Sequence, residues 1–269
     1  MKLTYLITGA SQGIGFEITK NLIKKKFNLI LCLRNIKNIT KSLSSNNSLK
    51  LIKSDLTKVN DIKKIESYLK KNKIKLNGII LCHGMLGVPI NVYDDKFQKK
   101  WLKIFNTNFT SNKILLNKIF KFIKKNSFSK IIFFSGGGVF TTWPKFSAYS
   151  VSKTALIKYM ENLASEAFNK KIIVSAVAPG FLNTSIHKNN YKILEKLNDK
   201  YRNELKINAN KKPDFSNIIG LLNFLIFNKK MIISGKTISA NYDKWKNKNF
   251  TKILGKNKNY LMITRNNIN

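Results

Sequence analysis

The chain has little cysteine, little acid and no long uninterrupted apolar run, and each shortage narrows what it can be. Its two cysteines, Cys32 and Cys82, both sit inside apolar runs. They make no disulfide framework and stand at no metal-ligand spacing, so they read as reduced core residues and no metal is expected. The longest apolar stretch, residues 218–227, is broken by Asn223 and is too short to span a bilayer. The N-terminus runs Met1-Lys2-Leu3-Thr4-Tyr5-Leu6-Ile7 straight into a glycine turn, without the apolar segment and cleavage site of a secretory signal. The expectation is a cytoplasmic protein with no membrane span. Only 13 Asp and Glu oppose 50 Lys and Arg, a net charge of +37. An excess of that size ordinarily suggests nucleic acid or an anionic surface. Here it is nearly all lysine, spread from Lys20 to the C-terminus among abundant Asn and Ile. Those three residue types share A/T-rich codons, so genome composition accounts for them without a ligand. With no helix-turn-helix or zinc-finger pattern, no specific nucleic-acid partner is expected, only salt-sensitive attachment to polyanions.

What is present is the composition of a globular protein, 43% hydrophobic and 11% aromatic, in 269 residues. That length reads as a single domain, 1–269, able to bury a substantial core. Strand-like apolar runs at 3–8, 28–33, 49–53, 77–81, 129–134, 172–178 and 231–240 alternate with helical patterns. The helical segments are 16–26, one starting near Lys58, 94–125, the segment opening at Tyr149, and 215–227. Alternation of this kind implies an α/β fold with a doubly wound parallel sheet of about seven strands and helices on both faces. Residues 191–207 read as a polar helical excursion, the core of a substrate lid placed at 191–210.

Two motifs carry chemistry. The first strand runs into Thr8-Gly9-Ala10-Ser11-Gln12-Gly13-Ile14-Gly15 and then a helix. Strand, glycine turn and helix N-terminus form a phosphate cradle, in which glycine permits close backbone approach and the helix end offers free N–H groups. A glycine turn with no ligand is the plainer alternative. The second motif is Ala148-Tyr149-Ser150-Val151-Ser152-Lys153. Tyr149 and Lys153, four apart, share one helical face. A phenol of pKa ~10 is a poor acid or base at neutral pH. An ammonium one turn away favours the phenolate; lowering the pKa by about three units takes roughly 4 kcal/mol of differential interaction. The same spacing also suits an ordinary amphipathic face.

At the end of the second strand stands Arg34, with no carboxylate beside it. A dinucleotide site that prefers NAD places an acid there for the ribose 2′-hydroxyl, whereas arginine grips a 2′-phosphate. NADP is therefore expected over NAD, with Lys37 able to add to the charge; a surface arginine is the alternative. Asp55 follows the third strand in Ser54-Asp55-Leu56-Thr57, where Asp55 or Thr57 would suit capping the next helix. The fourth strand ends in Cys82-His83-Gly84. His83 has no carboxylate or second histidine at a catalytic spacing and reads as a turn residue. Ser135, in Ser135-Gly136-Gly137-Gly138, lies at a strand's carboxyl end, where parallel sheets bind ligands.

The Thr-Gly-x-x-x-Gly-x-Gly turn, the helix segment Trp101-Leu102-Lys103-Ile104-Phe105-Asn106-Thr107-Asn108-Phe109-Thr110, the Tyr-x-x-x-Lys pair and Pro179-Gly180-Phe181-Leu182-Asn183-Thr184 fall in one order. In that order the chain resembles the short-chain dehydrogenase/reductase family, single-domain and Rossmann-like, over about residues 1–240. The resemblance implies an oxidoreductase that reduces a carbonyl or oxidises a secondary alcohol. Its substrate would be a small molecule such as an acyl thioester, a sugar or a keto metabolite. The implied catalytic set is Tyr149, Lys153, Ser135 and Asn108. The implied NADP-binding set is Thr8, Gly9, Ser11, Gly13, Ile14, Gly15, Arg34, Asp55, Gly84, Tyr149, Lys153, Pro179, Gly180 and Thr184. It also implies a homodimer or homotetramer packed through the helices bearing Asn108 and Tyr149. The chain departs from the family where an Asn-Asn-Ala-Gly-like turn is usual, since only Gly84 matches. Ser135 stands one residue further from Tyr149 than is commonest, with Gly136 at the usual serine place. The seventh strand ends in Ser239-Ala240-Asn241-Tyr242-Asp243-Lys244-Trp245 rather than Asp-Gly-Gly, and 241–269 form a divergent tail. These departures keep open an alternative, a cofactor-binding sensor or scaffold without turnover, alongside a more remote polyanion-binding role.

Overall fold

The computed structural model describes residues 2–36, 39, 43, 47–257 and 259–264. Seven strands, β1 (Thr4–Thr8), β2 (Asn28–Leu33), β3 (Leu49–Lys53), β4 (Gly78–Leu81), β5 (Ser129–Phe134), β6 (Ile172–Ala178) and β7 (Thr237–Ser239), form one sheet. Their order is β3-β2-β1-β4-β5-β6-β7, and every neighbouring pair is parallel. The chain winds outward from β1 to β3, then returns to β4 and winds the other way. This reversal opens a crevice at the carboxyl ends of β1 and β4. The helices are α1 (Gly13–Lys24), α2 (Val59–Lys71), α3 (Gln98–Phe105), α4 (Ser111–Ile119), α5 (Ser147–Ala167), α6 (Asp199–Asn208), α7 (Ser216–Phe227) and α8 (Phe250–Lys256).

Helices cover both faces, so the inner strands are apolar on both sides and read as continuous runs rather than alternations. All six residues of β5 are buried. Successive side chains divide between two cores. Ile7, Leu31, Ile132 and Val177 pack with Ile18 and Leu22 of α1 and Leu221 and Leu225 of α7. Leu6, Ile79, Ile131 and Val174 pack on the other face with Ile62 and Ile65 of α2, Leu115 of α4 and Met160 of α5. At the β1–α1 junction a Cβ on Gly15 would lie 2.5 Å from the Gly9 carbonyl oxygen. The first turn of α1 thus leans directly on the turn that precedes it.

A third, smaller cluster sits at the carboxyl end of the sheet and joins Leu86, Ile104, Phe146 and Tyr149 to Leu197, Tyr201 and Leu205. It holds down the segment expected as a lid, which comprises a 3-10 stretch, Asn190–Lys196, and α6. The lid is therefore not polar throughout: Leu197, Tyr201 and Leu205, spaced by four, make a buried inner stripe. The last strand is shorter than the 231–240 expected, because Met231–Ile233 form a 3-10 turn and Gly235 takes φ +80°.

The C-terminal segment closes the edge beyond β7. Thr237 N–H donates to the Leu261 carbonyl at 2.9 Å. Ile263 N–H donates to Glu161 Oε1 at 2.6 Å, and Glu161, 4% exposed, also pairs with Lys158 at 2.9 Å. Among the described residues no helix is long and apolar enough to cross a membrane. Replacing Glu161 by alanine leaves a half-buried N–H without its charged acceptor, a loss of about 1–3 kcal/mol. Glu161→Ala is expected to lower the urea midpoint accordingly and to speed tryptic release of the C-terminal segment. An unchanged midpoint and cleavage rate would show that the tail is not held through this carboxylate.

Candidate active site

The crevice is a cavity of about 1140 Å³ running from the glycine turn, past β4 and β5, to the lid. Single small-ligand pockets usually span ~300–1,000 Å³, so it has room for a dinucleotide and a second molecule together. Gly9, Ser11, Gly13, Ile14 and Gly15 line one end, with Arg34 and Asp55 beside them. Pro179, Gly180 and Thr184 line the facing wall. A Cβ on Gly13 would stand 3.7 Å from the Thr184 side chain, so the two walls nearly meet there.

The glycine turn fits the phosphates of a dinucleotide. Gly9 and Gly13 take φ +66° and +57°, a region that side chains disfavour. α1 begins at Gly13 without a side-chain cap and with no acid in its first turn, which leaves amide donors and positive potential facing the crevice. Arg34 is exposed at the end of β2 and sends its field onto the Asp55 carboxyl. Asp55 accepts from Thr57 N–H at 3.0 Å and from the Thr57 hydroxyl at 2.7 Å; these bonds chiefly hold its pKa below the usual carboxylate range. Asp55 makes a local turn with Thr57, and α2 has no side-chain cap. Lys37 lies outside the described residues.

Thr8, expected beside the cofactor, does not reach the cavity. It is fully buried, and its hydroxyl lies 2.8 Å from His83 Nδ1. His83 Nε2 lies 2.7 Å from Ser111 Oγ. The Ser111 hydroxyl already donates to the Thr107 carbonyl, so it accepts from His83 Nε2–H, and Nδ1 accepts from Thr8. Burial above all, then the fields of Lys153 and Arg34, lowers the His83 pKa to about 3. His83 is thus a neutral strut with a fixed tautomer, tying the end of β1 to the start of α4. His83, a turn residue by its sequence, makes a contact with Thr8 across 75 residues that no local pattern marks.

Asn108 lies in a π-helical turn, Asn106–Thr110, between α3 and α4. It too lies behind the cavity wall, fully buried. Its Oδ1 accepts from Met85 N–H at 2.8 Å, and its Nδ2 donates to the Met85 carbonyl at 2.9 Å and to Ser152 Oγ at 2.9 Å. Its own carbonyl accepts from Asn112 Nδ2 at 2.7 Å. The amide is occupied with protein groups and braces the site. Ser152, which sequence reasoning passed over, relays that brace by donating to the Tyr149 carbonyl at 2.7 Å.

Tyr149 and Lys153 both open onto the cavity from the first turns of α5, and Gly84 faces the lysine. Lys153 Nζ lies 5.9 Å from the centre of the Tyr149 ring and donates to the Phe134 carbonyl at 2.8 Å. Burial lowers the Lys153 pKa to about 8, slightly offset by the Cys82 thiol. The Tyr149 phenol is pushed above the ordinary tyrosine value by burial. The expected lowering by the lysine is therefore not realised in this arrangement: desolvation of the phenolate outweighs an ammonium held against a backbone carbonyl. Ser135 lines the cavity, and its Oγ is buried without a hydrogen-bond partner. A Cβ on Gly136 would collide with the Tyr149 hydroxyl; bare backbone, not a second hydroxyl, is what Tyr149 rests on.

Comparisons with known proteins agree with this fold. The chain is 28% identical over 251 residues to 3-oxoacyl-[acyl-carrier-protein] reductase of Buchnera aphidicola, covering 89% of this chain and 96% of that protein. It is 23% identical over 238 residues to dehydrogenase/reductase SDR family member 4 of Rattus norvegicus, covering 87% and 84%. The crystal structure of a short-chain dehydrogenase/reductase from Saccharomyces cerevisiae superposes with a TM-score of 0.79 at 22% identity, over 90% of this chain and 98% of that one, which speaks to the fold. The sequence pattern of the family described as short chain dehydrogenase matches residues 4–194. That span runs from the glycine turn through Asn108, Tyr149 and Lys153 into the lid, and the chain belongs to this family of oxidoreductases.

Proposed function

We propose that this protein is a nicotinamide-dependent carbonyl reductase that prefers NADP, with Tyr149 as its proton donor. The observation that carries the reading is the placement of the Tyr149 hydroxyl and the Lys153 ammonium on one cavity wall, in the same crevice as an uncapped helix N-terminus. The turn from Gly9 to Gly15 and the start of α1 would hold the pyrophosphate. Arg34 would grip the 2′-phosphate, and Pro179, Gly180 and Thr184 would border the nicotinamide. Bound there, the reduced cofactor supplies a hydride. Tyr149 holds a proton for the carbonyl oxygen. Its raised pKa keeps that proton on the phenol across the neutral range until charge develops on the oxygen. Lys153, charged below about pH 8, is placed to bind ribose hydroxyls and to stabilise the phenolate left behind. Ser135, whose buried hydroxyl lacks a partner, supplies the spare donor that could polarise the carbonyl. Asn108 and His83 are positioning residues: one braces the tyrosine's helix, the other the phosphate turn.

One observation favours a second reading, a cofactor-binding protein without turnover. Tyr149 rests on Gly136 rather than beside a hydroxyl, and Ser135 has no hydrogen bond to it.

Three outcomes separate these readings. Tyr149→Phe is expected to lower turnover about 10²- to 10⁴-fold, the range of general acid catalysis, while fluorescence titration shows NADPH binding intact. Equal activity in that variant removes the tyrosine from the mechanism, and an inactive wild type that binds NADPH establishes the second reading. Arg34→Ala is expected to weaken NADPH binding about 10- to 100-fold, the worth of a charged hydrogen bond of ~1.5–3 kcal/mol. NADH binding should be unaffected, and parallel losses for both would end the NADP assignment. In the reductive direction kcat/KM is expected to fall as pH rises through about 8, where Lys153 loses its proton. A lysine pKa lowered by burial leaves the charged form only below that value, so a profile level to well above it would show that the ammonium is not required.

A further inference from the structure

The glycine run after β5 seats more than the tyrosine. A Cβ on Gly137 would lie 2.7 Å from the indole of Trp143. Bare backbone there admits the indole beside Tyr149, edge to face, with ring centres 5.6 Å apart. Trp143 meets Tyr201 of α6 at 5.2 Å, and Tyr201 meets Phe181 at 6.4 Å. Phe181 in turn stacks on His187 at 4.7 Å. All four rings border the cavity beyond Tyr149; Trp143 and Phe181 are partly exposed and Tyr201, 1% exposed, packs behind them, so the space next to the reacting hydroxyl is backed by aromatic rings. Phe140 and Ile186, 55% and 37% exposed, extend the apolar lining to the mouth.

The two polar ring groups of this wall, on His187 and Tyr201, are paired with each other. His187 Nδ1 and the Tyr201 hydroxyl are 2.7 Å apart, and Asn190 Nδ2 donates to the same hydroxyl at 3.4 Å. The cavity's side-chain cations, among the described residues, are Arg34 at the dinucleotide end, Lys153 under the tyrosine, and Lys200. Lys200 is exposed at the rim, and its field falls on the half-buried carboxyl of Glu204, one turn along α6. Apart from Lys153, which donates to the Phe134 carbonyl, no buried cation among the described residues lines the cavity beside Tyr149. A wall of this composition binds by apolar contact and rejects charge.

We propose that the substrate is an uncharged ketone bearing a planar apolar group, an aryl or cyclic ketone, with that group lying on the Trp143–Tyr201–Phe181 wall. Trp143 is then the specificity-determining residue. The assignment rests on the carbonyl-reductase reading. The carbonyl carbon accepts the hydride of NADPH, the C=O π bond breaks, the oxygen takes the Tyr149 proton, and a secondary alcohol and NADP⁺ are the products.

The test is steady-state kinetics of the full-length protein with NADPH and acetophenone, dihydroxyacetone or acetoacetyl-coenzyme A, in the wild type, Trp143→Phe and Trp143→Ala. Acetophenone is expected to exceed both other substrates in kcat/KM by about 100-fold. Its KM should rise about 10-fold in Trp143→Ala with a smaller change in kcat, as expected from loss of one aromatic wall contact plus its buried area. Trp143→Phe should restore most of it, and NADPH affinity should be the same in all three proteins, which shows that the fold has survived. Preference for the sugar or the thioester, or an acetophenone KM indifferent to Trp143, overturns the proposal while leaving the reductase reading standing. If NADPH binds and none of the three carbonyls is reduced, the reductase reading fails. Saturation-transfer NMR with 1-phenylethanol then decides the wall on its own: binding lost in Trp143→Ala supports it, and no binding to the wild type overturns it.

Discussion

One buried amide holds the site together. The Asn108 side chain makes three hydrogen bonds, two to the backbone of Met85 after β4 and one to Ser152 of α5. It can do so because a π-helical turn between α3 and α4 rotates it out of ordinary helical register, a local feature often found at functional positions. Through Ser152 the brace reaches the Tyr149 carbonyl, and through Met85 it fixes the turn whose other residues, Cys82 to Gly84, border the crevice. The amide is fully buried, so any displacement strands polar groups at a cost of about 1–3 kcal/mol each. Tyrosine, lysine and turn are thereby confined to one arrangement before any ligand arrives.

The sheet was legible because its strands are buried on both faces. β2, β3, β5 and β6 stand at the residues that their apolar runs mark, and the alternation with helices implied the parallel order. Helix interiors were harder to read. A single helical region over 94–125 is in fact divided at Asn106–Thr110, and hydrophobic periodicity does not distinguish an i+5 turn from an i+4 one. The lid's inner stripe was open to reading, since Leu197, Tyr201 and Leu205 recur every four residues within a polar composition. What no local pattern could reveal are contacts between distant segments. His83 with Thr8 and Ser111, Trp143 with Gly137, and Asn108 with Ser152 each depend on the crevice having formed, and they convert a turn histidine and a loop tryptophan into parts of the site.

The lysine excess and the shortage of acid leave a mark on how loops are fixed. Carboxylates are so few that several serve as acceptors for backbone N–H groups. Asp61 accepts from Asp55 N–H, Asp243 from Ser239 N–H, and Glu161 from Ile263 N–H. Most lysines stay on the surface, where charge is solvated and a pair contributes little. The buried exceptions are each tied to a neighbouring group. Lys130, lowered to about 8 by burial, donates to the Asn228 carbonyl, and Lys153 does the same to Phe134.

Burial acts on both titratable groups proposed for catalysis. Tyr149 lies above its ordinary pKa and Lys153 below it, and burial is the main cause of both. Desolvation penalises the charged form of each group, so at neutral pH the phenol keeps its proton firmly while the lysine, near 8, stays mostly charged. An alcohol oxidation would have to start from the phenolate, the form that burial disfavours most. A carbonyl reduction starts from the phenol and ends with the phenolate beside an ammonium already in place. In the proposed reductase the same enclosure would set the tyrosine up as a donor, and the shape of the pocket and the state of its acid would follow from one cause.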